Sequence, residues 1–334
     1  MNEAIQEEPV KMNFHILAAA LLALNSLALH AQDTARYPSK PVSIIVPNAP
    51  GASFDVFARM YADKLAGIFG QPFLVDYKPG ASGTIASTFV AKSAPDGHVL
   101  LIVSPSFTIV PMQYKDLPFD TIKSFAPVSL MTRAPYVFVV NSAFPAKNLK
   151  EYIAYARDNP GQINVATTGS GAFNHLAAEW MHSATNTQAS FVHYKGGTAY
   201  VSDLLSGRVN GVIASITFMK PQIAAGKVKP LAVTSVARNP AMPDTPSVAE
   251  QVIPGYDAVN WVGIVAPVTT PTGTVNRLST EVAKVLKQPD VLSALNKDGT
   301  ESVGSTPEQF GQLITEELSR WRNLIQSRNI KMAE

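Results

Sequence analysis

Four times along this chain a short β-rich apolar run ends in a turn of small and polar residues, and a helical pattern begins at once. The turns fall at 47–55, 78–84, 167–175 and 194–198. When strand and helix alternate in this way, successive strands lie parallel and helices cover both sheet faces. The expected class is therefore α/β, doubly wound.

The first run, Val42-Ser43-Ile44-Ile45-Val46, is entered from Pro38 and Pro41 and reads as a buried strand. The helix after it places Phe57, Met60, Tyr61, Leu65 and Ile68 at helical spacing, and Gly70 and Pro72 end it. A strand at 73–75, a helix at 84–92 and a strand at 99–103 complete a first series. A second series gives strands at 136–140, 163–166, 190–193, 211–214 and 231–234, with helices at 149–157, 175–182 and 198–205. A strand at 261–266 and helices near 275–286, 291–295 and 307–326 follow, with Trp321 and Leu324 on an apolar stripe of the last. These helices bring no new sheet, so they are expected to return to the first series. The result is two doubly wound lobes, 36–138 plus 259–334 and 139–258, joined by a two-crossing hinge.

The length of 334 residues suits two such lobes. Charged residues make up 16% and hydrophobic ones 46%, a balance that excludes a disordered chain or a nucleic-acid-binding tail. The formal net charge of +2 is too small to name a partner. Lys11, the apolar run 16–24 and the small-residue end Leu29-His30-Ala31 read as a secretory signal peptide, 1–31, cleaved after Ala31. Met12 offers an alternative start. No other stretch approaches the ~18–20 apolar residues of a membrane-spanning helix. With no cysteine, the chain has no lipid-anchor thiol, disulfide or thiolate nucleophile.

The turns are where chemistry is expected. At a helix start the first N–H groups lack partners and the helix dipole is positive, so a carboxylate there gains charge-assisted hydrogen bonds. Such turns at the carboxyl ends of parallel strands are the usual ligand position in open α/β sheets. The same Gly and Pro residues also punctuate any α/β protein. Asp55 is expected to cap its helix and Ser53 to share capping and ligand contact. Phe54, Phe107 and Phe173 stand in or beside polar turns, where contact with an apolar ligand body and core packing are both open. His175 and His193 flank second-lobe turns, either as donors to a carboxylate or as structural histidines.

Catalytic patterns are missing. The chain has no Gly-x-Ser-x-Gly elbow, no His-Glu-x-x-His and no P-loop, and Gly80-Ala81-Ser82-Gly83 falls short of a dinucleotide fingerprint. His175 and His182 are seven apart, too far for an adjacent-turn metal pair. No metal or cofactor is expected. The one enzymatic alternative is a hydrolase pairing Ser170 with His175 or His193.

Several blocks resemble the tripartite tricarboxylate transporter receptor (Bug) family: Tyr-Pro-Ser-Lys-Pro-Val at 37–42, Pro-Gly-Ala-Ser-Phe-Asp at 50–55, Lys-Pro-Gly-Ala-Ser-Gly at 78–83, Ala-Pro-Asp-Gly-His at 94–98, His-Tyr-Lys-Gly-Gly at 193–197 and Pro-Asp-Thr-Pro-Ser-Val-Ala-Glu at 243–250. The resemblance implies a type II periplasmic binding protein fold, an exported monomer that binds a small carboxylate, and a membrane permease as partner. A sensor's ligand subunit would use the same pocket. It places the ligand against Asn48, Ser53 and Phe54, then Ala81, Ser82, Gly83 and Thr84, with Ser106 and Phe107 beside them. From the second lobe it adds Thr168, Gly169, Ser170, Phe173, Asn174 and His175, then Lys195, Gly196 and Thr198, and finally Ala214 and Ser215. Family members usually carry an aromatic residue where Asn48 stands, a small polar one at Phe54 and often an aspartate at Ala214. These departures argue against an amino-acid ligand and for an aromatic or apolar carboxylate, with an aliphatic dicarboxylate as runner-up.

Overall fold

From Val42 on, strands and helices alternate: β1 (Val42–Val46), α1 (Ser53–Phe69), β2 (Phe73–Tyr77), a 3-10 turn (Ala81–Gly83) leading into α2 (Thr84–Ala91), β3 (Val99–Val103) and α3 (Pro105–Gln113). Then come β4 (Phe125–Asn141), α4 (Leu149–Asp158), β5 (Asn164–Thr167), α5 (Phe173–Ala184), β6 (Ser190–His193), α6 (Val201–Leu205), β7 (Gly211–Ser215), α7 (Ile216–Ala224), β8 (Val228–Val233) and α8 (Val248–Gln251). The chain ends with β9 (Val259–Pro267), α9 (Thr272–Val285), α10 (Pro289–Lys297), β10 (Glu301–Ser302) and α11 (Pro307–Ser327). The computed structural model describes residues 37–51, 53–297 and 299–332, with the backbone alone at Ser53, Phe54 and Val56. The expected leader at 1–31 lies outside the described residues, as do the side chains of Ser53 and Phe54.

The strands form one mixed sheet in the order β2-β1-β3-β9-β4-β7-β5-β6, with β8 and β10 also paired to β4. The outer strands are parallel as expected: β1 with β2 and β3, and β5 with β6 and β7. The central ones are not. β9 runs antiparallel to β3 and β4, and β4 antiparallel to β7 and β8. The all-parallel expectation is corrected here, because long strands in the middle run against their neighbours.

β4 is seventeen residues long. It pairs with β9 up to Pro135↔Val259, and with β7 from Tyr136↔Ser215 onward. A proline lacks the ladder N–H, so prolines in strands gather at bulges and at ends of pairing. Pro127 stands at a register shift and Pro135 where β4 changes partner. Those prolines explain why the sequence suggests only the later part, from Tyr136, as strand.

Among the described residues, apolar clusters fill the space around the sheet. Ile45, Leu101, Phe107, Phe125, Trp261 and Phe310 belong to the first, where Trp261 meets Phe310 edge to face at 5.5 Å. Phe138, Tyr152, Met181 and Tyr256 belong to the second, and Tyr200, Leu204, Val212 and Met219 to the third. A smaller cluster of Ile109, Leu176, Trp321 and Leu324 ties α3, α5 and α11 together. Trp321 is fully buried, as the stripe on α11 predicts, and truncating such a residue typically costs about 3–5 kcal/mol. α11 begins at a capping box: the Thr306 hydroxyl accepts from Gln309 N–H, and the Gln309 side chain accepts from Thr306 N–H at 3.0 Å.

Candidate functional site

The carboxyl ends of β1 and β3, the 80–83 turn and the crossing strands enclose a cleft of about 600 Å³. Asn48 lines it from the turn after β1, Ser82 and Gly83 from the second turn, Ser104 and Ser106 from the start of α3, and Asn260 from β9. Tyr136 and Phe173 close its inner end, and both also line a second chamber of about 200 Å³. The inner chamber takes in Thr168, Asn174, Tyr200, Ala214, Ser215 and Phe218. Among the described residues no Asp, Glu, Lys, Arg or His side chain lines either chamber.

The first turn is shaped by Asp55. Its carboxylate accepts from Gly51 N–H at 2.8 Å, from Arg59 Nε at 2.7 Å and from the Tyr77 hydroxyl at 2.5 Å. The Tyr77 hydroxyl, followed by the Gly51 N–H, holds that carboxyl below the usual carboxylate range. Asp55 therefore closes the loop at the head of α1, in the structural role expected of it.

The second turn is strained. Gly80, Ala81, Ser82 and Gly83 have φ of 121°, 46°, 54° and 91°. Left-handed backbone costs an L-residue roughly 1–2 kcal/mol, so Ala81 and Ser82 hold it against local preference. Ser82 and Gly83 thereby line the cleft, whereas Ala81 and Thr84 flank it.

The start of α3 joins them. Pro105 occupies the first helical position, where its missing N–H costs nothing. The Ser104 hydroxyl does not cap the helix but lies 3.0 Å from the Ser106 hydroxyl. Below this turn of helix, the Thr108 hydroxyl donates to Glu317 at 2.8 Å. Burial raises the Glu317 pKa, opposed first by that hydrogen bond.

In the second half of the sheet, the Thr168 hydroxyl donates to Asn174 Oδ1 at 3.0 Å, and Asn174 Nδ2 donates to the Ile213 carbonyl at 3.3 Å. Asn174 thus lines the chamber while tying the third turn to β7. Phe173 reaches both chambers, meeting Tyr136 edge to face at 5.6 Å and Trp321 at 6.1 Å.

Other expected contacts lie elsewhere. Phe107 is buried against Phe125, edge to face at 5.2 Å, and touches only a narrow recess behind the cleft. His175 is buried at 3% exposure and accepts the Gly171 N–H at Nδ1, 3.0 Å away. Burial and then the neighbouring His193 push its pKa down to about 4, so it is neutral and structural. The Ser170 hydroxyl donates to the Lys331 carbonyl, and His193 Nδ1 lies 2.6 Å from the Thr167 hydroxyl. The Ser170–histidine pairing of a hydrolase is therefore not formed. Gly169, Lys195, Gly196 and Thr198 lie outside the lining, which the fourth turn reaches through Gly197. Among the described residues no three His, Asp or Glu side chains come together as a metal site. No helix among them is long and apolar enough to cross a membrane.

Ser104, Tyr136, Asn260, Tyr200 and Phe218 are lining residues that sequence reasoning missed. Ser104-Pro105 carried a signal, since a Ser before Pro marks a helix start. Asn260 stands out only as a polar residue entering an apolar strand. Nothing local distinguishes Tyr136 or Tyr200.

Known proteins share this fold. A solved structure described as "R. palustris Rpa4515 with adipate" is 32% identical, with a TM-score of 0.72 over 88% of this chain and 99% of that one. Another, "MatC (Rpa3494) from Rhodopseudomonas palustris with bound malate", is 30% identical, with a TM-score of 0.69 over 86% of this chain and 100% of that one. A "UPF0065 protein in tcbD-tcbE intergenic region" from a Pseudomonas sp. is 35% identical over 93% of both chains. The model of the tripartite tricarboxylate transporter family receptor matches residues 57–330. With its mixed α/β sheet, this chain belongs to that family of solute-binding receptors, which are not enzymes.

Proposed function

We propose that this protein captures a small carboxylate in the periplasm and presents it to a membrane permease of the tripartite tricarboxylate type. The favoured ligand is an aromatic or apolar mono- or dicarboxylate. The observation that carries this reading is a cleft walled by neutral hydrogen-bonding groups at one end, Asn48, Ser82, Ser104, Ser106 and Asn260, and by aromatic rings at the other. An anion is held by such groups when several converge on it in a site of low dielectric. Ala214, in the inner chamber, offers no acid to an ammonium group, which disfavours amino acids. In this reading the lobes 36–138 plus 259–334 and 139–258 close about β4 and β9, and residues 1–31 are removed on export.

An aliphatic dicarboxylate is the second reading, favoured by the adipate and malate named for the two related structures. A thermal-shift panel of aromatic and aliphatic carboxylates separates the two. A ligand at 100 times its Kd stabilises the folded state by about 2.7 kcal/mol. The expected result is a rise in Tm with aromatic carboxylates that exceeds the rise with adipate or malate, with no product formed. No shift with any carboxylate at millimolar concentration overturns the proposal.

A further inference from the structure

The inner chamber has a property that a simple apolar pocket lacks. Tyr200 is only 2% exposed and lines the chamber, and its hydroxyl makes no hydrogen bond among the described residues. Tyr136, half-buried where β4 changes partner, likewise has no hydroxyl hydrogen bond among the described residues. Buried tyrosine hydroxyls usually find partners. Tyr256 donates to the Ala177 carbonyl at 2.8 Å and Tyr152 lies 3.2 Å from His182 Nε2, while the Tyr61 hydroxyl is buried without a partner.

The two free hydroxyls belong to one neighbourhood. Burial first, and then Tyr136, raise the pKa of Tyr200, so the phenols sense each other and stay protonated. Both rings line the same 200 Å³ space. Phe173 and Phe218 supply further aromatic wall, and Phe218 meets Tyr200 edge to face at 6.2 Å. The side chains of Thr168 and Asn174 are engaged with each other, which leaves the phenols and Ser215 to meet a ligand.

A second carboxylate is a poor occupant. Fewer free donors converge there than at the outer end, where Asn48, Ser82, Ser104, Ser106 and Asn260 meet, so the inner chamber holds a charge less well. A neutral group that both accepts and donates fits, because hydroxyls serve either role. We propose that the inner chamber is a subsite for the neutral polar end of an aromatic carboxylate, and that the hydroxyls of Tyr136 and Tyr200 select a ligand bearing a ring hydroxyl opposite its carboxylate. This inference rests on the carboxylate-binding reading and names the ligand class for it.

Isothermal titration of the full chain with benzoate, 4-hydroxybenzoate and terephthalate tests it, alongside Tyr200→Phe and Tyr136→Phe. The ligands share a ring and one carboxylate and differ at the far end. The wild type is expected to bind 4-hydroxybenzoate about tenfold more tightly than benzoate, the size of one well-made hydrogen bond. Terephthalate is expected to bind more weakly than 4-hydroxybenzoate. Tyr200→Phe should bring 4-hydroxybenzoate and benzoate within about twofold of each other. If Tyr200→Phe does not fold, Tyr136→Phe is expected to reduce the same preference and decides the matter. Benzoate binding with no hydroxyl preference, a preference for terephthalate, or a hydroxyl preference that survives in the folded variants overturns the subsite and leaves the carboxylate reading intact. Failure of all three to bind, with adipate or malate binding, overturns the subsite alone. Failure of every carboxylate overturns both.

Discussion

The ring of Phe173 meets that of Tyr136 edge to face at 5.6 Å, and both residues line both chambers of the cleft. Tyr136 comes from the strand that links the halves of the sheet, and Phe173 opens the helix after the third turn. A ligand lying across both chambers passes this pair.

Replacing Phe173 by Ala is therefore expected to weaken aromatic carboxylates more than aliphatic ones. One lost aromatic contact is worth about 0.5–1.5 kcal/mol, up to roughly a tenfold loss of affinity. Titration calorimetry on the variant checks this, and an equal loss for malate and benzoate would speak against it.

The strained turn gives a pair of opposite predictions. Gly83→Ala forces a Cβ to φ of 91°, 3.4 Å from Pro47, and is expected to destabilise by about 1–2 kcal/mol. Ala81→Gly removes a Cβ at φ of 46° and is expected to be neutral or stabilising by up to about 1 kcal/mol. Thermal melts of the two variants should move apart, the first downward.

Gly263, on β9, has no room for a side chain. A Cβ there would come within 2.1 Å of the Phe310 ring. Gly263→Ala is expected to cost about 1–3 kcal/mol by overpacking, read as a lower urea midpoint with an unchanged m-value.

Acid should destabilise the protein through its buried histidines. His182 is fully buried between the Tyr152 and Thr187 hydroxyls, and burial lowers its pKa to about 4. The unfolded chain takes up this proton near the ordinary value of 6.5, before the folded one does. Stability is thus complete above pH 6.5 and is lost as pH falls toward 4, by on the order of 3 kcal/mol from this group. His175, lowered by burial and then by His193, acts in the same direction. Urea unfolding at pH 7.5, 5.5 and 4.0 should show the decline, with a shallower one in His182→Gln.

Much of this architecture was legible because strands and helices here obey their local periods. The pattern in Val42–Val46 and the Gly70-Pro72 stop both correspond to real boundaries. The central antiparallel strands were not legible, since direction is set by long-range pairing that no local pattern encodes. Pro127 and Pro135 hid the first part of β4 for the same reason: they read as breaks until the partner strand supplies the bulge. At the cleft, turn chemistry pointed to Asn48, Ser82 and Asn174. Tyr136 and Asn260 reach it from strands, so only the fold brings them in. For His175 the sequence leaves a donor and a structural role open, and the Gly171 N–H on its ring nitrogen decides for the structural one.

The central claim is that neutral groups in this cleft hold a carboxylate. Titration calorimetry comparing benzoate with its methyl ester tests it most directly, because the ester keeps the ring and removes the charge. Saturable binding of benzoate, with a loss of at least about a hundredfold for the ester, is the predicted result, as expected when charge-assisted hydrogen bonds are removed. Equal affinity for acid and ester would contradict it.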